Sequence, residues 1–73
     1  MTKMKLPEPP VRLSPREAVV LRNLSHGEGA ATIGSLLGLS ETSVRTYLAR
    51  AQKKLNAKSQ PHAVAIAIGK RLI

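Results

Sequence analysis

The sequence predicts an all-α domain of four short helices, two of which form a helix-turn-helix unit. Apolar residues recur at helical spacing in four segments, helix start signals precede several of them, and no segment alternates with the period of a strand. We expect helices at about residues 15–26, 30–37, 41–55 and 61–71. Residues 1–12 hold three prolines and no helical period, so we interpret them as a flexible, proline-rich arm before a domain at 13–73.

The residues at the N-terminal end of the first helix predict where it begins. Ser14 can cap it, Pro15 suits the first turn, and Glu17 stands where a capping box needs an acceptor. Its buried stripe is expected to be Val20, Leu21 and Leu24, and it should end near residues 26–27.

The second helix should turn Ile33, Leu36 and Leu37 inward and stop at Gly38 in a left-handed conformation. The third helix follows after only two residues, Leu39 and Ser40, and Ser40 followed by Glu41 is its start signal. Two helices joined by a tight turn containing glycine are typical of a helix-turn-helix unit.

The third helix is amphipathic in a way that indicates function. Its apolar positions line one face, while the other offers hydroxyls and cations. The N-terminal part of such a helix reaches base edges, where arginine can bond guanine and methyl groups can contact thymine. The candidate base contacts are Thr42, Arg45, Thr46 and Ala49. The candidate phosphate contacts are Ser40, Ser43, Arg50, Lys53, Lys54 and Lys58.

Composition narrows the function further. The 73 residues carry twelve Lys and Arg against four acidic residues, a net charge of +8 that favours a polyanionic partner, here double-stranded DNA. There is no cysteine for a disulfide or a cysteine-ligated metal. No segment is long and apolar enough to span a bilayer, and the N-terminus has no apolar secretory region, so we expect a cytoplasmic protein.

Catalytic and metal sites are not indicated. His26 and His62 lie far apart in sequence without a cluster of further ligands, and Ser25 beside His26 has no positioned acid. We therefore expect no catalytic residue, no metal ligand, no cofactor and no enzymatic activity.

The fourth helix should follow a loop at 56–60, with Ser59 or Gln60 as its cap. Residues 63–68 are apolar on all sides, so a single packed face cannot cover them. We expect the first face to be Ala63, Val64, Ala67 and Ile68. The second face, predicted to form a homodimer interface, consists of Ala65, Ile66, Gly69 and Ile73. The alternative is that the N-terminal arm or the last two residues fold over it.

Several blocks at consistent separations resemble the DNA-binding domain of the LuxR family of bacterial transcription regulators. They are Leu13-Ser14-Pro15-Arg16-Glu17, Leu21, Gly27, Ile33, Leu37-Gly38, Ser40, Val44-Arg45, Leu48, Lys54-Leu55 and Ala63-Val64. The resemblance implies a four-helix domain whose third helix enters the major groove, and a dimer on a two-fold operator. It implies that Arg45 contacts bases, with Thr46 and Ala49 beside it. The C-terminal segment is similar to the quorum-sensing branch of rhizobia and agrobacteria.

Two departures from the family pattern keep a second function open. Thr32 stands where a glutamate is usual, and Ala49 where a long polar residue is common. The first hypothesis is a sequence-specific, dimeric regulator associated with the bacterial nucleoid. The second is a single-domain modulator that forms a heterodimer with a full-length LuxR-type regulator and inhibits it. The chain could also be the C-terminal domain of a longer regulator that carries a signal-sensing domain.

Overall fold

The computed structural model describes residues 11–73, and four helices account for most of this range. They are α1 (Pro15–Ser25), α2 (Ala30–Leu37), α3 (Glu41–Lys54) and α4 (Gln60–Gly69). Residues 11–73 contain no strand, so the all-α prediction is confirmed. The predicted arm at 1–12 lies outside the described residues except for its last two, of which Val11 packs against the core.

The helices α1, α2 and α3 begin at the predicted residues, and α4 differs most from expectation although its cap is one of the two predicted. Ser59 caps it by accepting the His62 N–H at 3.1 Å, so the helix begins one residue early. It ends at Gly69 instead of residue 71, because Arg71 takes a left-handed conformation (φ 57°) that a helix cannot continue through.

The capping box of α1 forms as predicted. The Ser14 hydroxyl oxygen accepts the Glu17 N–H at 3.1 Å, and Glu17 Oε1 accepts the Ser14 N–H at 2.8 Å. Val20 and Leu21 are buried, whereas Leu24 is half-buried at the edge of the core. The start of α1 is thus fixed locally, and its buried face points at α3.

The turn between α2 and α3 depends on two glycines. Gly38 ends α2 in the left-handed region (φ 68°), as predicted, and the Leu39 N–H donates to the Gly34 carbonyl at 2.8 Å. Gly34 is buried, because the backbone of the turn passes directly over it. Leu36 lies two residues after Gly34, on the opposite side of α2, and is 61% exposed; the prediction that Leu36 faces inward is wrong.

Gly34→Ala is expected to destabilise the domain, although the same change in an ordinary helix stabilises by up to about 1 kcal/mol. An added Cβ would lie 2.6 Å from the Leu39 carbonyl oxygen, a backbone atom that cannot move aside alone. We expect a loss of about 1–3 kcal/mol in the free energy of unfolding, measured with urea. Gly69→Ala is the matched control, since its Cβ would meet nothing within 4 Å. A Gly34→Ala variant as stable as the control would contradict the close approach.

The core is aliphatic, with at least one residue from every helix. Its buried members are Val20, Leu21, Ile33, Val44, Leu48, Ala51, Leu55, Ala63 and Ala67. The central helix is α3, which packs against all three others. Because one whole face of α3 is held this way, its opposite face is fixed in direction.

The two predicted faces of α4 are revised. Ala63 and Ala67 are buried as expected, but Ile68 is 56% exposed, so the prediction that it packs inward is wrong. Ile66 and Ile73, expected to be uncovered, are partly buried against the core of their own chain. With Ala63 and Ala67 packed on the core, Ile68 lies about 140° around the helix from Ala63 and so falls outside the packed stripe. Ala65 and Gly69 are exposed as predicted.

Candidate nucleic-acid interface

The exposed side of α3 is the candidate interface. Its fourteen residues form a rod of about 21 Å, which fits a major groove about 12 Å wide. Val44, Leu48 and Ala51 are buried on the opposite side. The structure places all four candidate base contacts on the exposed side: Thr42, Arg45, Thr46 and Ala49. They follow the i, i+3, i+4, i+7 spacing of one helix face.

Ser40 and Ser43 organise the N-terminal end of this helix. The Ser40 hydroxyl accepts the Ser43 N–H at 3.0 Å and donates to the Ser43 hydroxyl oxygen at 2.9 Å. The Ser40 side chain is therefore used as a cap, and the Ser43 hydroxyl keeps its proton for another acceptor. Both lie at the positive end of the helix dipole, where a phosphate is favoured.

The Thr46 hydroxyl makes a hydrogen bond within its own helix. Its hydroxyl donates to the Thr42 carbonyl at 3.0 Å, so the proton of the side chain is already used. What Thr46 offers outward is its methyl group, the part of threonine suited to the methyl of thymine.

Arg45 has a partner one turn earlier. Its Nη2 donates to Glu41 Oε1 at 3.1 Å, and the two side chains are 66% and 51% exposed. A guanidinium carries five N–H donors, so this contact leaves donors for a base edge. Sequence reasoning did not identify this pair, although the i, i+4 spacing of opposite charges signals it.

The C-terminal half of the exposed side of α3 is more basic than the N-terminal half. The Arg50 guanidinium lies 5.8 Å from the centroid of the Tyr47 ring, beside a shallow depression of about 220 Å³. Tyr47 itself packs against the core. Lys53 is exposed, and so is Lys58 in the α3–α4 connection, where its backbone N–H donates to His62 Nδ1 at 3.0 Å.

Lys54 forms an ion pair that the sequence did not predict. Its ammonium donates to Glu17 Oε1 at 2.7 Å, joining α3 to the capping box of α1. Glu17 is buried at 3% exposure, while Lys54 is 44% exposed. The ion pair gives Lys54 a structural role, and its predicted phosphate contact stays a prediction. Glu17 and Lys54 are 37 positions apart, which is why no local pattern revealed the pair.

The surroundings of Glu17 lower its pKa. Burial by itself would raise the pKa, but the hydrogen bonds from Lys54 and from the Ser14 backbone and hydroxyl outweigh it. A carboxylate whose pKa is lowered by folding stabilises the protein above its ordinary pKa, near 4.5, and loses that contribution as pH falls through the folded value.

Acid should therefore weaken the fold partly through Glu17. We expect the free energy of unfolding of the wild type to fall below about pH 4.5, and Glu17→Gln to start lower and decline less over the same range. Urea titrations at intervals from pH 7 to pH 3 measure this. Glu28 and Glu41 remain in both proteins, so the difference between the two curves isolates Glu17. Parallel curves would show that Glu17 is not the group concerned.

Neither a candidate metal site nor a membrane-spanning helix is found among the described residues. Residues 11–73 contain no group of three or more His, Cys, Asp or Glu side chains able to hold a metal ion. Among the same residues, no helix has both the length and the apolar character needed to cross a membrane.

Comparison with known families decides the classification. Residues 11–67 match the family model described as bacterial regulatory proteins, luxR family. The chain belongs to the LuxR family. This range includes the whole helix-turn-helix and most of α4, so the resemblance seen in the sequence is confirmed for this LuxR-type domain.

Two curated relatives are similar to the LuxR-type domain over most of its length. It is 40% identical over 67 residues to the transcriptional activator protein BjaR1 of Bradyrhizobium diazoefficiens, covering 92% of this chain and 28% of that protein. It is 36% identical over 61 residues to the transcriptional activator protein TraR of Rhizobium radiobacter, covering 84% and 26%. The chain thus spans about a quarter of the length of these relatives.

Proposed function

We propose that this LuxR-type domain is a sequence-specific, dimeric DNA-binding transcription regulator that reads the major groove with α3. One observation carries the proposal: the exposed side of α3 has the four candidate base contacts among its first nine residues and cations after them. Residues near the start of a recognition helix read bases, and surrounding cations contact phosphates. The net charge of +8 supplies the long-range attraction.

The proposed homodimer uses the exposed strip of α4. Ala65, Ile68 and Gly69 are exposed there, and Ile66 and Ile73 border the strip from their partly buried positions. Two small residues in this strip allow the backbone of a second α4 to approach closely. A two-fold axis at this contact would present two α3 helices about 34 Å apart, one turn of DNA.

The names of the two relatives support a proposal for the cellular setting. Both are named transcriptional activators of rhizobial bacteria. By this likeness we propose that the domain acts in the bacterial cytoplasm at the nucleoid, in transcription regulation of the quorum-sensing type.

A second candidate function is inhibition of a full-length LuxR-type regulator through a heterodimer. Two features support it: Ala49 gives the base-reading face no long polar side chain at that position, and Gly29 leaves α2 without a side-chain cap. This candidate predicts weak DNA binding by the chain alone and a stable complex with a larger homologue. Sub-micromolar operator binding by the isolated chain would contradict it.

Selection from a random DNA library tests the proposed function. We expect enrichment of a two-fold symmetric site with half-sites about 10 base pairs apart. On that site, the logarithm of the association constant should fall with the logarithm of salt concentration by about 0.9 for each phosphate neutralised. A library in which no sequence is enriched, with binding equal on all DNA, would overturn sequence-specific reading.

A further inference from the structure

The ion pair between Glu41 and Arg45 stands on the face that the proposed function assigns to base reading. Of the four candidate base contacts there, Arg45 is the only charged one. Its guanidinium donates to the Glu41 carboxylate at 3.1 Å. Because the two side chains carry opposite charges that cancel, the base-reading part of α3 is close to electrically neutral.

The later residues of the exposed side of α3, and the connection after it, carry unneutralised positive charge. Arg50, Lys53 and Lys58 are exposed, and none of them forms an ion pair with another residue of 11–73. The cations that can attract any phosphate are thus separated along the helix from the one cation that can read a base. An arginine freed from its carboxylate would also be able to bind phosphates, which carry no sequence information.

We propose that Glu41 is a specificity-determining positioning residue, which holds Arg45 on the base-reading face and neutralises it toward phosphates. The inference rests on the proposed function. Holding the guanidinium in place reduces the side-chain freedom lost on binding, and the carboxylate repels the backbone of DNA that lacks a matching guanine. Glu41 therefore lowers binding to non-specific DNA more than binding to the operator.

The alternative role of Glu41 is purely local. An acidic residue in the first turn of a helix stabilises the helix slightly through the helix dipole. That role would change stability slightly and leave the choice between DNA sequences unaffected. It also does not depend on Arg45, which makes the two roles separable.

Glu41→Gln, Arg45→Ala and the double variant separate them. Dissociation constants are measured for the full chain on the selected operator and on a scrambled duplex. We expect Glu41→Gln to strengthen scrambled-duplex binding and to lower the operator-to-scrambled affinity ratio roughly two- to fivefold, the range that exposed ion pairs span. In the Arg45→Ala background, Glu41→Gln should raise both affinities by one common factor and leave the ratio unchanged.

The outcomes are distinct. A wild type that discriminates, with an unchanged ratio in Glu41→Gln, would overturn this inference alone. An equal fall in the ratio with and without Arg45 would also overturn it, because Glu41 would then act independently of the guanidinium. A wild type that does not distinguish operator from scrambled DNA would overturn the proposed function and this inference together.

Discussion

Lys54→Met should lower the free energy of unfolding by about 1–3 kcal/mol, because Glu17 is buried but Lys54 is 44% exposed; breaking a fully buried ion pair costs about 3–5 kcal/mol, and a fully exposed pair contributes about 1 kcal/mol or less. The loss comes from Glu17, whose carboxylate would stay buried with only the Ser14 contacts to compensate its charge. Domains of this size have a total stability of roughly 4–11 kcal/mol. Urea unfolding at pH 7 measures the change, and lowering the pH should shrink it as Glu17 becomes neutral.

Lys53→Met is the matched control. It removes the same charge from the next position of α3, where the side chain is exposed and forms no ion pair with residues 11–73. We expect its stability to stay within about 0.5 kcal/mol of the wild type. Equal destabilisation by the two variants would show that the Glu17 pair contributes nothing specific.

The same two variants separate the structural cation from the phosphate-binding one. With both proteins folded at low temperature, Lys53→Met should reduce the salt dependence of DNA binding by about one phosphate. Lys54→Met should leave that slope unchanged, because its ammonium is committed to Glu17. A reduced salt dependence in Lys54→Met would show that Lys54 contacts a phosphate.

The features that the sequence predicted are those written in neighbouring residues. Ser14 with Glu17, Ser40 before α3 and Gly38 after α2 each determine a helix end within four positions, and all three occur as expected. The buried stripe of α3 follows from spacing alone. The direction of its exposed side, and thus the candidate base contacts, follows from that stripe.

The features that it did not predict depend on distant parts of the chain. Gly34 is buried because the turn at Leu39 crosses it, and Leu36, on the opposite side of α2, is exposed. Glu17 meets Lys54 only after α1 packs on α3. The apolar residues of α4 carry no period, so only packing decides that Ile66 is partly covered and Ile68 is not.

Arg45→Ala should weaken operator binding by about 1–3 kcal/mol, which is roughly 5- to 150-fold, and should relax the preference at one base pair of each half-site. The loss would not be compensated by a neighbour. Thr46 uses its hydroxyl on the Thr42 carbonyl, and Ala49 has no polar atom in its side chain. Titrations on the operator and on duplexes with single base-pair changes measure both effects.

Arg50→Ala is the control for a cation that contacts phosphate. It lies on the same helix, over the ring of Tyr47, and outside the four base-reading positions. Its removal should weaken binding by one common factor on all duplexes and lower the salt slope by about one phosphate. If Arg45→Ala behaved in this same uniform way, Arg45 would be a phosphate contact. With Ala49 beside it, the face would then hold no residue capable of bidentate reading, and heterodimer formation with a larger regulator would become the better-supported function.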